Sequence, residues 1–230
     1  MLFKGLRKQY GLRPVRCRGP RFRFKQVANW NRYTPFIDHW KSATKFQWPD
    51  QPWYTGTGLH YSTACDVRPL EKQICGNPEN RADYQDTLSY DQPLINGMFD
   101  GFGPFKAVRC KITCLKPAER VGLTSTPHKG WHKDESPYEV LRVIIPLASD
   151  MSYFFQLENN QPTALIPGTA YAFDQSRYHR VYSNGLGSDL DRIHLILSFV
   201  SWFDHRGDDW VPNRFFNAVH PLDLFDMIDL

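Results

Sequence analysis

A chain of 230 residues with 41% hydrophobic and 15% aromatic content can bury a full core, which argues against disorder. The net charge of +4 conceals an asymmetry, because residues 1–25 hold nine Lys and Arg and no acid, leaving the rest of the chain at −5. No apolar run reaches membrane-spanning length and no secretory apolar region opens the chain; five cysteines without a C-x-x-C pair read as reduced thiols, so the pattern suits a cytoplasmic protein.

The basic arm, residues 1–25, comes first. It reads as a solvated extension whose Leu2, Phe3, Leu6, Phe22 and Phe24 pack on the main body; its composition also fits an anionic partner or an organelle-targeting segment. The stretch "YTPFIDHWKSA" predicts a helix with Thr34 as N-cap, Pro35 at the first helical position and Asp38 in the first turn. A second helix start follows at Asn77 and Pro78, and the aromatic, Pro-rich "QWPDQPWYTGTGLHYS" between them reads as loop plus irregular strand. From Lys106 the texture changes. Six apolar runs of strand length, among them "KAVRCKITCL", "VLRVIIPL" and "MSYFFQLE", are separated by turn residues such as Pro167-Gly168. Short strands at that density predict an antiparallel sandwich or barrel at about residues 107–203, with the helices over one outer face. With no repeat or low-complexity linker, a single domain, 1–230, is the economical reading. The C-terminal "HPLDLFDMIDL" ends in one or two amphipathic turns with Leu222, Phe225 and Ile228 on one side.

The strand "RIHLILSF" has two unlike faces. Ile193, Leu195, Leu197 and Phe199 share one, while Arg192, His194, Ile196 and Ser198 share the other. A buried arginine requires an anion, from the protein or from a ligand.

Candidate metal ligands stand in "KGWHKDESPY", where His132 and Asp134 are two apart and point the same way on an extended backbone. His179, 45 residues after Asp134 with about three strands between, can fold back beside them. Two imidazoles and one carboxylate make the facial triad of non-haem Fe(II) oxygenases, which leaves three positions open. A 2-oxo acid fills two of them and dioxygen the third. The far carboxylate of a diacid such as 2-oxoglutarate needs a forked cation, and Arg192 suits it in type and place.

The ordered set "WHKDE…LRVIIPL…IPGTAYAFD…HRVYSNG…DRIHLILSF" resembles the aspartyl/asparaginyl β-hydroxylase-type branch of the Fe(II)- and 2-oxoglutarate-dependent dioxygenases, over roughly residues 107–200. The resemblance implies a mainly β, double-stranded β-helix core (jelly-roll, cupin-like) with N-terminal helices packed on one face. It implies Fe(II), 2-oxoglutarate and dioxygen as cofactors, with ascorbate as a stimulant. His132, Asp134 and His179 match the iron ligands, Arg192 the distal-carboxylate arginine, Arg142 a strand arginine at the cosubstrate and active-site entrance, and Thr113 a hydroxyl near the same carboxylate. One departure is Ile144, where this branch often has histidine. The implied reaction hydroxylates an Asp, Asn or Pro side chain, in a polypeptide or as a free amino acid such as proline. The aromatic front half and the basic arm favour the polypeptide, with Trp131 and aromatics of 47–61 or 99–105 lining its site.

Rival readings differ in testable ways. His132 and Asp134 would merely close a turn if Arg192 paired with Asp134 or Asp191. A metal-loaded cupin-like protein without turnover would not need Arg192 in the pocket. A nucleic-acid oxygenase, suggested by the basic arm, would carry a second arginine six residues after Arg192, where Ser198 stands.

Overall fold

The structure, a computed structural model, describes residues 8–42, 46–48, 51–61, 102–105, 107–115, 129–149, 153–183, 191–206 and 209–230. The helix start expected at Asn77 and the loop through His128 lie outside them. Three strands precede the predicted β region: β1 (Phe22–Gln26), β2 (Phe46–Trp48) and β3 (Gln51–Tyr61). Then come β4 (Ala107–Leu115), β5 (Lys129–His132), β6 (Leu141–Ala148), β7 (Tyr153–Leu157), β8 (Thr163–Ala164), β9 (Thr169–Phe173), β10 (His179–Ser183) and β11 (Arg192–Phe199). A separate hairpin, β12 (Phe203–Arg206) with β13 (Asp209–Pro212), follows.

Two antiparallel sheets result. One has the order β1-β9-β6-β11-β4-β3-β2 and the other β5-β10-β7-β8. The chain alternates between them from β4 to β7, turns back through the β7–β8 hairpin, and alternates again from β8 to β11. That path is a double-stranded β-helix, the expected jelly-roll. "TALIPGTAYAF" divides into β8 and β9 because Gly168 sits at φ +79°, a left-handed conformation open to glycine without strain.

Period-two alternation holds in β11. Leu195, Leu197 and Phe199 are fully buried in the main core, while Arg192, His194 and Ile196 turn to the space between the sheets. The main core lies on the far side of the larger sheet, where the helix Thr34–Ser42 contributes Phe36 and Trp40. This helix begins differently from the sequence expectation. A 3-10 turn, Trp30–Tyr33, preceded by Asn29, runs directly into it, so the Thr34 hydroxyl donates back to the Asn31 carbonyl at 2.9 Å instead of capping a new end. The C-terminal amphipathic segment is a 3-10 helix, Pro221–Met227, with the His220 ring accepting from the Leu222 N–H at 3.1 Å.

The end of the basic arm is built into the body. Its last residues form β1, which adds to the edge of the larger sheet beside β9. Phe22 stacks on Phe155 at 5.4 Å, between the sheets, whereas Phe24, two residues on and on the same face, meets the Tyr171 ring and is 67% exposed, contrary to the expectation that both pack inward. Arg21 pairs with Asp174 at 2.6 Å, Arg23 with Asp223, and Lys25 donates to the Phe225 carbonyl at 2.9 Å. Arg21, Arg23 and Lys25 are therefore engaged internally. No helix among the described residues is long and apolar enough to cross a membrane.

Candidate metal centre

His132 ends β5 and His179 begins β10, and the two are register partners in the smaller sheet. Alternation that buries one buries both on the same inner face, with ring centroids 4.2 Å apart. Asp134, two residues past His132 and beyond the strand end, is fixed by its backbone N–H donating to the Gln175 carbonyl at 2.8 Å. Gln175 is itself fully buried and donates from its side chain to the Val140 carbonyl at 2.7 Å, tying the β9–β10 turn to the segment before β6. The ligating atoms of His132, Asp134 and His179 all lie within 4.8 Å of one another. The Nε2 atoms of His132 and His179 are 4.0 and 3.5 Å from the same Asp134 Oδ2.

The tautomers follow from the partners. Nδ1 of His132 lies 2.7 Å from the Gly130 carbonyl, and Nδ1 of His179 3.0 Å from the Arg177 carbonyl. A carbonyl can only accept, so each Nδ1 carries a proton, which leaves Nε2, the atom facing Asp134, as the nitrogen that would ligate a metal. Backbone carbonyls orient metal-binding imidazoles in this way elsewhere. Two imidazoles and one carboxylate converging on one point form a donor set that fits a first-row divalent metal.

All the sequence-predicted site residues face one cavity, partly open to solvent, lined by Thr113, Arg142 and Arg192 together with the triad. Arg192 is 5% exposed and Thr113 4%, both more deeply buried than His132 or Asp134. Thr113 sits on β4 opposite His194 of β11, so its hydroxyl reaches the wall that carries Arg192. Arg142 lines the cavity too, but its guanidinium is forked across Asp134 and Glu135, at 2.8 Å to the latter. It thereby holds the triad carboxylate, a contact eight residues apart that the resemblance did not indicate.

His194 is the residue whose part sequence reasoning left open. The Arg192 Nε–H donates to His194 Nε2 at 2.5 Å, and a terminal guanidinium nitrogen lies 3.0 Å from Nδ1. Complete burial, then the neighbouring Arg192 charge, push the His194 pKa well below its ordinary value, so the ring is neutral and can accept from the arginine. Its inward position was legible in the strand alternation; its contact with Arg192 follows from the i, i+2 spacing on one face.

Two expected pocket contributors lie elsewhere. Trp131 is on the opposite face of β5 from His132 and is 45% exposed. Phe102 and Phe105 are buried in the main core behind the larger sheet, not in the cavity.

No protein-family model and no curated protein matches the sequence. Among solved structures, the chain is similar to an oxidoreductase of the 2OG-Fe(II) oxygenase family from Burkholderia pseudomallei (14% identity, TM-score 0.44, covering 80% of this chain and 92% of that one). It is also similar to HygX from Streptomyces hygroscopicus with nickel and 2-oxoglutarate bound (10%, 0.45, 84% and 92%). A third is a prolyl hydroxylase from Trichoplax adhaerens in complex with a hypoxia inducible factor peptide fragment (11%, 0.43, 78% and 83%). These likenesses lie in the course of the chain; the chemistry of the cavity is read from its own side chains.

Proposed function

We propose that this protein is an Fe(II)- and 2-oxoglutarate-dependent dioxygenase that hydroxylates an Asp-, Asn- or Pro-type side chain in a polypeptide, as in the aspartyl/asparaginyl β-hydroxylase-type branch. The observation that carries the proposal is the presence of the His132–Asp134–His179 cluster and the buried Arg192 in one cavity. A metal-binding protein without turnover has no use for a buried, forked cation beside its metal.

Each residue has a definite task in this reading. His132, Asp134 and His179 hold the metal, and Gly130, Arg177 and Gln175 hold them through backbone carbonyls. Arg192, braced by neutral His194, receives the distal carboxylate of 2-oxoglutarate, with the Thr113 hydroxyl as a second donor. Arg142 stands at the cosubstrate entrance and keeps Asp134 aimed at the metal. Apolar Ile144, Phe155, Phe173 and Val181 line the remaining wall and keep water from the reacting centre. When bound, the iron would activate dioxygen, the oxidant, so that 2-oxoglutarate, dioxygen and a C–H bond become succinate, carbon dioxide and an alcohol.

The test is succinate release from 2-oxoglutarate, measured with Fe(II) and ascorbate against a panel of peptides and free amino acids. Peptide-driven release, abolished in His132→Ala and His179→Ala, is expected. Release driven by free proline or another single amino acid would replace the polypeptide reading by the free-substrate one. No release with any substrate, despite bound iron, would favour the non-catalytic protein.

A further inference from the structure

The outer face of the smaller sheet has its own pattern. Alternation that points His132 and His179 inward turns Trp131 and Arg180 outward, and the His132–His179 register makes them cross-strand neighbours. The Arg180 guanidinium lies 4.7 Å over the Trp131 ring and 4.5 Å over Tyr182, and it donates twice to Gln156 on the next strand, at 2.9 and 2.7 Å. On the other side of the histidine pair, Lys133 lies 4.3 Å over Tyr178. Trp131 and Tyr178 remain 45% and 47% exposed, and both line one open groove completed by Gln156, Glu158 and the β7–β8 turn residues Asn159, Asn160 and Gln161.

Three properties point to the same kind of occupant. Two large aromatic rings, held in place by cations, are preformed platforms for proline or aliphatic side chains and lose little freedom on binding. The amide side chains both donate and accept, which matches a peptide backbone better than an anion, which can only accept. The surrounding charge is positive: Lys133, Arg177 and Arg180 against Glu158, which Arg177 already pairs at 2.9 Å. Trp131 and Tyr178 also immediately precede the two histidines of the triad, so the groove starts beside the wall of the metal cavity.

We propose that this groove docks an extended, acidic segment of the polypeptide substrate, flanking the residue presented to the cavity. The inference rests on the polypeptide reading above. Its side chains stack on Trp131 and Tyr178, its backbone bonds to the amides, and its carboxylates face Lys133 and Arg180. Aromatic rings beside amides also suit a sugar, but a neutral sugar would gain nothing from the positive charge.

The experiment is fluorescence anisotropy on the full chain with EDTA, using labelled twelve-residue repeats of Glu-Pro-Leu or Lys-Pro-Leu and cellohexaose as competitor. The acidic peptide is expected to bind, more weakly as salt rises. Trp131→Ala or Tyr178→Ala should weaken it at least about tenfold, Trp131→Phe less, and Lys133→Glu should reverse the preference between the two peptides. Circular dichroism checks that each variant folds. Unchanged binding in folded Trp131→Ala and Tyr178→Ala, no binding of either peptide, or displacement by cellohexaose would overturn the proposal, the last in favour of a glycan site. The assay needs neither metal nor turnover. Failure here with intact peptide-driven succinate release removes the groove alone, whereas docking without release removes the hydroxylase alone.

Discussion

At the scale of single residues, the pair Arg192–His194 concentrates the most specific chemistry. Arg192→Lys keeps a positive charge but loses the planar fork that matches a carboxylate. The expected result is an apparent KM for 2-oxoglutarate raised roughly tenfold or more, with metal affinity unchanged; an unaltered KM would remove Arg192 from the cosubstrate site. His194 gives a prediction in pH. Its folded pKa is depressed by burial, then by Arg192, so the unfolded chain binds the extra proton at mildly acidic pH. Its contribution to stability is therefore full above the ordinary histidine value of 6.5 and is lost as pH falls below it, by up to about 1.4 kcal/mol per pH unit. Denaturant unfolding of His194→Gln should show a shallower acid slope than the parent. A slope remains, because burial and then Arg21 also depress the pKa of His220. Identical slopes in variant and parent would mean that His194 takes up its proton in the folded state.

At the scale of elements, β1 and the C-terminal 3-10 helix hold each other. The Asp223 carboxylate pairs with Arg23 and accepts from the backbone N–H of Arg18 at 3.0 Å and Gly19 at 3.3 Å. Asp223→Ala removes charge-assisted bonds worth about 2–3 kcal/mol together, which lowers the melting temperature of a chain this size by roughly 4–12 °C. The control is Arg16→Ala, an exposed position of the same arm, expected to stay within about 0.5 kcal/mol. Equal melting temperatures for the two variants would show that the clamp contributes nothing. Nothing local in the arm announces this clamp, because the partners of Arg18 and Arg23 lie 205 and 200 residues away. Apolar runs bounded by turn residues did reveal the inner strands β6, β7, β9 and β11, because strands covered on both faces read as short continuous apolar stretches, and alternation then sorted the two faces of β11. The two histidines and Asp134 were legible for the same reason, each being placed by its own strand or strand end. The Arg142–Asp134 pairing was not, because it depends on how the loop after β5 folds back, and the outward turn of Trp131 was legible only from its neighbour His132.

At the scale of the molecule, the metal cluster joins two neighbouring strands and the turn between β9 and β10. His132 and His179 belong to β5 and β10, while Asp134 hangs from the β9–β10 turn through Gln175. A metal ion held by all three locks the smaller sheet to that turn and binds the folded chain alone, since the unfolded chain cannot assemble the three ligands. Mass action then gives about 2.7 kcal/mol of stabilisation at a hundredfold excess over the dissociation constant. For a chain of this length that corresponds to a melting temperature raised by roughly 5–10 °C with Mn(II), a metal that avoids oxidation during heating. Asp134→Ala and His179→Ala should each abolish most of the rise. 2-Oxoglutarate should add a further rise only when metal is present and Arg192 is intact, because its two ends need both. A full Mn(II) shift in the triad variants, or a 2-oxoglutarate shift indifferent to Arg192→Lys and to metal, would place both ligands somewhere other than this cavity.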